Sequence, residues 1–401
     1  MDWQLGSRGR TRNSSSASTK RWVTHARHEG SAPHWAVGRP SGGEPTGGFE
    51  VATEPGSGLI TLDGSSGEGG GQILRTALTL SMLTGRPFRI VKIRANRDKP
   101  GLRPQHAMAV EAAALLCSAE VTGGSVGSRD LTFRPGPIRP RDLEIGIGTA
   151  GATALVLQTL HLPISLRSEA GTRLVLTGGT FNLAAPSFPF LDTTWRDYLA
   201  RIGMPISLQM TAAGYFPEGG GRVEAWIEPA TPRPLVLENR GDLVGIRGIA
   251  DTSHLDGRIG ERMVNRAIAR LDERGLPSEI ELRHSPAPSP GASIALTAEF
   301  ADAPPATFVG LGKRGKPAED VADEAVDQLL EDLDALSGAV DAHSADQILL
   351  PLAFAEGRSV YTVTQVTDHL RTNARTIRAF LDRPIRIEEA DEGPGGRVVV
   401  G

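Results

Sequence analysis

Three short stretches of this 401-residue chain hold side chains whose types and spacing suit chemistry on phosphate. The first is Gly67-Glu68-Gly69-Gly70-Gly71, set between a short apolar run and a helix-like run. Bare backbone there lets phosphate oxygens reach amide N–H groups, and a following helix N-terminus adds a partial positive charge. A carboxylate beside such a cradle, Glu68, is suited to hold the Mg²⁺ or Mn²⁺ that bridges nucleotide and protein. The spacing matches neither a Walker loop nor a dinucleotide fingerprint, so a plain strand-to-helix turn satisfies it as well. The second stretch, from Arg94 through Arg97, Lys99 and Arg103 to Gln105-His106, places four cations within ten residues of turn and strand edge. Arginine forks match phosphate oxygens, and a solvated loop would carry the same charges. The third is Val366-Thr367-Asp368-His369-Leu370-Arg371-Thr372-Asn373. Thr367 or Asp368 is placed to cap a helix and so set His369 at its start. An imidazole there can attack an α-phosphate while the Thr, Arg and Asn beside it steady the oxygens; a capping or surface histidine carries the same signature.

These stretches need elements to position them. Leu59 to Leu62 reads as a strand running into the first glycine turn, and Ile73, Leu74, Ala77, Leu78 and Leu80 to Met82 have helical spacing, with Gly85 at the C-cap position. Phe88 to Ile93 reads as the next strand, Pro104 to Cys117 as a helix with Pro in its first turn, and Leu131 to Arg134 as a strand. A second cycle follows: the glycine-rich Ile145 to Gly151, a helix through Ala154, Leu155, Leu157 and Gln158, a strand at Leu174 to Gly179, and a helix face at Leu191, Trp195, Leu199 and Ile202. A third glycine turn, Pro217 to Gly221, suggests a repeated α/β unit. From about Glu238 the texture changes to strand-like Leu243 to Ile249, a helix through Ile259, Met263, Ala267 and Leu271, a Pro-rich break at 286–290 and an acidic helix through Val321, Ala325 and Leu329. Mixed sheets packed on helices, an α+β arrangement, fit this order better than a doubly wound sheet.

Residues 1–56, rich in Ser, Gly, Arg and Pro, lack any sustained period and read as a disordered extension. The net charge of −4 excludes a generally basic, nucleic-acid-coating surface, so an anionic partner must be met by local clusters. The single cysteine, Cys117, lies on the apolar face of its helix and rules out a disulfide within the chain. With no apolar run of membrane-spanning length and no signal-like N-terminus, the expected place is the cytoplasm, not a membrane.

Taken in order, Gly67-Glu68-Gly69-Gly70-Gly71-Gln72-Ile73-Leu74-Arg75, Arg94-Ala95-Asn96-Arg97-Asp98-Lys99-Pro100-Gly101-Leu102, Gln105-His106, Gly148-Thr149-Ala150-Gly151, Ala345-Asp346-Gln347 and His369-Leu370-Arg371-Thr372-Asn373 resemble the RNA 3′-terminal phosphate cyclase family from about residue 59 to the C-terminus. The resemblance implies repeated β-α-β-α-β-β units like an initiation-factor C-terminal domain, related to enolpyruvyl transferases, with a small thioredoxin-like insert. Residues 57–237 and 338–401 would then form the catalytic part and 238–337 the insert. It further implies that His369 takes AMP from ATP and passes it to an RNA 3′-terminal phosphate, which closes to a 2′,3′-cyclic end. By the same carry-over Glu68 is the metal carboxylate, Gln158, Pro186, His343, Ser344, Ala345, Asp346 and Gln347 form the nucleotide pocket, and Arg75, Arg94, Arg97 and Gln105 hold phosphates. His343 departs from the family, whose bacterial members often carry Tyr there. The alternative is a non-catalytic, cyclase-like ribosome-assembly factor, against which the presence of His369 speaks.

Overall fold

A computed structural model describes residues 51–53, 58–66, 71–183, 185–335 and 338–401. Residues 67–70 of the first glycine turn, including Glu68, and residues 1–50 of the expected extension lie outside the described residues. Within that expected extension, β1 (Val51–Thr53) is a strand, antiparallel to β2 (Ile60–Asp63). Ordered pairing thus begins earlier than the sequence indicates, because an edge strand can be recruited by backbone bonds without a side-chain period of its own.

Among the described residues, three of the four sheets share one connectivity. The first runs β2, α1 (Gly71–Thr84), β3 (Phe88–Val91), α2 (Pro104–Cys117), β4 (Glu120–Thr122) and β5 (Leu131–Arg134). The second runs β6 (Leu143–Gly146), α3 (Thr153–Arg167), β7 (Thr172–Gly178), a continuous helical stretch made of α4 (Phe188–Phe190), a π turn (Leu191–Trp195) and α5 (Arg196–Arg201), then β8 (Ile206–Ala212) and β9 (Gly221–Ile227). Between the first strand of the third sheet, β10 (Val236–Leu237), and its remainder lies a separate sheet: β11 (Leu243–Ser253), α6 (Gly257–Glu273), β12 (Ser278–His284), β13 (Gly291–Phe300), β14 (Ala306–Leu311) and α7 (Ala318–Leu333). The third sheet resumes with α8 (Ser344–Ala353), β15 (Ser359–Val363), α9 (Asp368–Phe380), β16 (Ile385–Glu389) and β17 (Gly396–Val400). The strand orders are β2-β3-β5-β4, β6-β7-β9-β8 and β10-β15-β17-β16, with the first two strands of each parallel across a helix and the rest antiparallel. The fold is therefore α+β, built from several small mixed sheets.

The helices of the three sheets meet in one core. Helix α1 is buried on nearly every side and packs on α9, α3 and α2, while α8 packs on α9. Its polar residues are satisfied across helix boundaries: Thr79 donates to the Thr159 carbonyl at 2.8 Å and Thr76 to Asn373 Oδ1 at 2.8 Å. A second core, around Met263, Ile294, Leu296 and Leu329, belongs to the fourth sheet with α6 and α7. Cys117 is buried, and its thiol donates to the Ala113 carbonyl.

The third glycine turn differs from expectation. It closes the β8–β9 hairpin and does not lead into a helix. Gly219 and Gly220 adopt φ of 73° and 66°, and the chain then alternates, with Val223, Ala225 and Ile227 buried and Arg222, Glu224 and Trp226 less so. Period 2 after the turn, which the glycine signal masks, makes it a strand.

Candidate active site

A cleft of about 1130 Å³ opens where the three sheets' helices converge. The N-terminal turns of α1, α2, α8 and α9 supply Gly71, Gln105, Asp346 and His369 to its wall, so several helix N-termini, each with unbonded N–H groups and a partial positive charge, face one space. Of the residues expected to act, Arg75, Arg94, Arg97, Gln105, Gln158, Pro186, His343, Asp346, Gln347 and His369 all line this cleft. They come from separate elements and are joined only by folding.

His369 is exposed and occupies the second position of α9. Thr367 is the cap: its Oγ1 accepts from the Leu370 N–H at 3.1 Å. The neighbours expected to steady phosphate oxygens divide. Thr372 and Asn373 line the cleft, but Arg371 turns to Glu389 at 2.7 Å and is not part of the wall. Asn373 is fully engaged, accepting from Thr76 and donating Nδ2 to the Asp346 carbonyl at 2.6 Å, so it ties α9 to α1 and α8.

The α8 wall is selective about which residues it presents. Asp341 caps this helix, its Oδ1 accepting from the N–H groups of His343 and Ser344 at 2.9 Å each. Asp346 and Gln347 then face the cleft, whereas Ser344 and Ala345 point into the core, 1% and 0% exposed. Neither of those two lines the wall, a departure from the expected pocket that follows from the 3.6-residue turn. Gln347 donates Nε2 to the His343 carbonyl at 2.8 Å and accepts from Gln158 Nε2 of α3, which links two sheets across the cleft.

Burial sets the charges. Asp346 accepts from Gln72 Nε2 of α1, and desolvation, only partly countered by Arg75, pushes its pKa up to about 7. Burial lowers the Arg75 guanidinium to about 10, which leaves it cationic at neutral pH. His106 is driven down to about 3 by burial and then by Arg75, Arg94 and Arg103; it is a neutral ring whose Nδ1 accepts from the Arg103 N–H at 3.2 Å. Arg94 sits at φ 54°, in the left-handed region, and Nη1 donates to the carbonyls of Lys99 at 2.8 Å and Gly101 at 3.2 Å, which draws its loop around the cleft mouth.

Sequence reasoning missed the far wall. His161, Phe190 and Trp195 line the cleft, His161 edge-on to Trp195 with ring centroids 5.1 Å apart, and burial lowers His161 to about 3. His161 follows Gln158 by three residues and so shares its helix face, the one signal that could have found it. Beside them the fourth sheet contributes Thr307, Val309 and Leu311 of β14 and Gln328 of α7, which no local pattern marks; Thr194 Oγ1, next to Trp195, donates to Thr307 Oγ1 at 2.9 Å.

An α+β fold with an exposed histidine in the first turn of a helix, lining one cleft with the half-buried Arg75 and Arg94 and the exposed Arg97, defines a protein built to handle phosphorylated ligands. The chain belongs to the RNA 3′-terminal phosphate cyclase family, whose sequence model matches residues 66–387. It is 44% identical over 334 residues to an RNA 3′-terminal phosphate cyclase of Pseudomonas fluorescens, covering 82% of this chain and 94% of the relative. Proteins of the same name from Caldivirga maquilingensis and Archaeoglobus fulgidus are 42% and 39% identical, each over 82% of this chain and over 94% and 98% of their own lengths. Among solved structures, an EPSP synthase from Acinetobacter baumannii is 13% identical with a TM-score of 0.24, covering 85% of this chain and 81% of that one, a likeness too low to support an argument. Among the described residues no helix is long and apolar enough to cross a membrane.

Proposed function

We propose that this chain is a ligase that uses ATP to convert an RNA 3′-terminal phosphate into a 2′,3′-cyclic phosphate. The observation that carries the reading is the shared cleft: His369 in the first turn of α9 and Arg75, Arg94 and Arg97 line one space in a member of this family. In the first step an imidazole nitrogen of His369 attacks the α-phosphorus of ATP; the N–P bond forms and pyrophosphate leaves with the electron pair. An oxygen of the RNA 3′-phosphate then attacks that phosphorus, which frees the histidine and leaves an anhydride between RNA and AMP. The ribose 2′-OH, losing its proton, attacks the activated 3′-phosphorus, and AMP departs. Each step needs an activated phosphorus, because a phosphate monoester is a poor electrophile until AMP becomes its leaving group.

The chain's own groups have distinct tasks. The α9 N-terminus offsets the negative charge of AMP held on His369. Arg75, Arg94, Arg97 and Gln105 hold phosphates of the nucleotide or the RNA end, and the neutral His106 adds no further positive charge to repel the neighbouring arginines. Gln158, Pro186, His343, Asp346 and Gln347 take the nucleoside, with Pro186 and the His343 ring as stacking surfaces. Ser344 and Ala345 act behind this wall by fixing α8. Among the described residues no three His, Cys, Asp or Glu side chains cluster as a metal site. Mg²⁺ commonly uses only one or two carboxylates with substrate phosphates, so Glu68 with the nucleotide suits it, and the ion would neutralise phosphate charge there.

The resemblance to initiation-factor-like and enolpyruvyl-transferase-like units is supported by the common strand order of three sheets, and an insert spanning 238–337 by the separate sheet and core of β11 to α7. Its likeness to thioredoxin and a cytoplasmic location belong to the same reading. Incubation with α-labelled ATP and Mg²⁺ or Mn²⁺ tests the mechanism. Wild type should gain an acid-labile, alkali-stable label that His369→Ala lacks. Equal label on both proteins, or none on the wild type, refutes it.

A further inference from the structure

The rim of the cleft has two unlike sides, with Gln105 between them. On one side the loop from residue 92 to 103 carries Arg94, Arg97, Lys99 and Arg103 against Asp98, with Lys92 paired to Asp63 at 2.8 Å, and Arg97 and Lys99 are exposed. On the other side stand two large apolar side chains that the fold leaves in solvent. Leu183 lines the cleft yet is 72% exposed, and Phe216 is 81% exposed.

Leu183 and Phe216 flank one turn. Phe216 lies at the tip of the β8–β9 hairpin, closed by the Gly219 N–H donating to the Tyr215 carbonyl at 2.8 Å. That tip rests against the second glycine turn so closely that a Cβ on Gly219 would collide with Thr149 and Ala150. Asn182, beside Leu183, donates Nδ2 to the Ala150 carbonyl of the same turn. The turn in turn abuts the cleft, since a Cβ on Gly151 would lie 3.2 Å from the Gln105 Cβ. The mount is rigid: Tyr215 is buried and stacked on Phe181, centroids 4.9 Å apart and planes within 8°, and its hydroxyl meets Ser293 Oγ at 3.2 Å. An exposed ring on so well anchored a neighbour is a platform prepared before anything binds.

A cleft of about 1130 Å³ slightly exceeds the roughly 300–1,000 Å³ of single small-molecule pockets. It has room for an adenylate and a terminal nucleotide, so the rest of an RNA strand must leave over the rim. We propose that the strand leaves between these two sides, its phosphates along the 92–103 loop and an upstream base stacked on Phe216 beside Leu183. A cationic track paired with an aromatic face is the arrangement that binds single strands without reading their sequence. This path rests on the cleft being an RNA-end site, and its test is chosen to separate the two.

The measurement is the anisotropy of a 5′-labelled oligoribonucleotide ending in a 3′-phosphate, bound to the full chain. Phe216→Ala should weaken binding about tenfold, the scale of one lost base–aromatic stack, and Phe216→Trp should restore it. Labelling from ATP in the absence of RNA should be unchanged, as should competition by a nucleoside 3′-phosphate, which is too short to pass the rim. Unaltered oligonucleotide affinity in Phe216→Ala, or an equal loss for the nucleoside 3′-phosphate, overturns the path. So does a change in sedimentation of the free protein, which would make the apolar pair a contact between copies of the chain. If binding depends on Phe216 while the wild type takes no label from ATP, the path stands and the catalytic reading falls.

Discussion

Asn373 is the residue whose loss should most clearly separate position from chemistry. It is 4% exposed, and its amide joins three helices: Oδ1 accepts from Thr76 of α1 at 2.8 Å, and Nδ2 donates to the Asp346 carbonyl of α8 at 2.6 Å. Asn373→Ala strands the buried Thr76 hydroxyl, while the Asp346 carbonyl keeps the bond that helical geometry gives it. An unsatisfied buried hydroxyl costs about 1–3 kcal/mol and the second bond a net of about 1, so roughly 2–4 kcal/mol of stability should be lost. The helix bearing His369 is also freed from the helix bearing Asp346, and a displacement near 1 Å at a reacting group can cost about a hundredfold in rate. Urea unfolding gives the first quantity and the rate of AMP labelling on His369 the second. A Thr76→Val, Asn373→Ala double-mutant cycle should return a coupling of about 1 kcal/mol between the pair. Asn373→Asp keeps the acceptor for Thr76 but sets a carboxylate oxygen against the Asp346 carbonyl, so it should retain more stability than Asn373→Ala while labelling no faster. Unfolding within about 0.5 kcal/mol of the wild type, the range of an ordinary surface substitution, would refute the reasoning. So would the expected destabilisation accompanied by labelling at the wild-type rate.

Three other outcomes are expected. Asp346 keeps its proton in the folded protein up to about pH 7 and loses it near 3.8 when unfolded, so its contribution to stability is full below about pH 4 and is lost as pH rises to about 7; Asp346→Asn should remove this decline, and identical pH profiles of urea unfolding for the two proteins would contradict it. Gly101 sits at φ 82°, and a Cβ there would overlap the Gly127 carbonyl, so Gly101→Ala should cost about 1–3 kcal/mol and loosen the Arg94 loop; thermal unfolding at the wild-type midpoint would exclude this. Glu68→Ala should slow labelling while raising the Mg²⁺ concentration needed for half-maximal rate, with urea unfolding unchanged; an unaltered metal titration would remove Glu68 from that role.

Local physics made much of the fold readable. The helix at Pro104–Cys117 and the strand at Leu131–Arg134 follow from proline, glycine and apolar spacing, and Thr367 caps α9 because a β-hydroxyl three residues before a free N–H is a purely local arrangement. The third glycine turn suggests a repeated α/β unit but closes the hairpin of the second one, because a glycine turn serves strand-to-helix and strand-to-strand connections alike and only the alternation after it distinguishes them. Of the cleft, the motif residues were legible as types, but the far wall of His161, Trp195 and β14 carries no phosphate-binding signature, because it forms only where β14 of the fourth sheet packs on the helical stretch bearing Trp195.

By itself, the sequence determined which residues can do phosphate chemistry and the short elements that carry most of them, since both depend on side-chain type and on neighbours within a few positions. Tertiary structure alone decided which of them meet. Asp346 and Gln347 reach the cleft while Ser344 and Ala345 of the same turn do not, Arg371 is drawn off by Glu389, and Asn373 becomes a brace between helices. Those outcomes depend on which face of each helix the common core buries, a contact between distant segments that no local pattern contains.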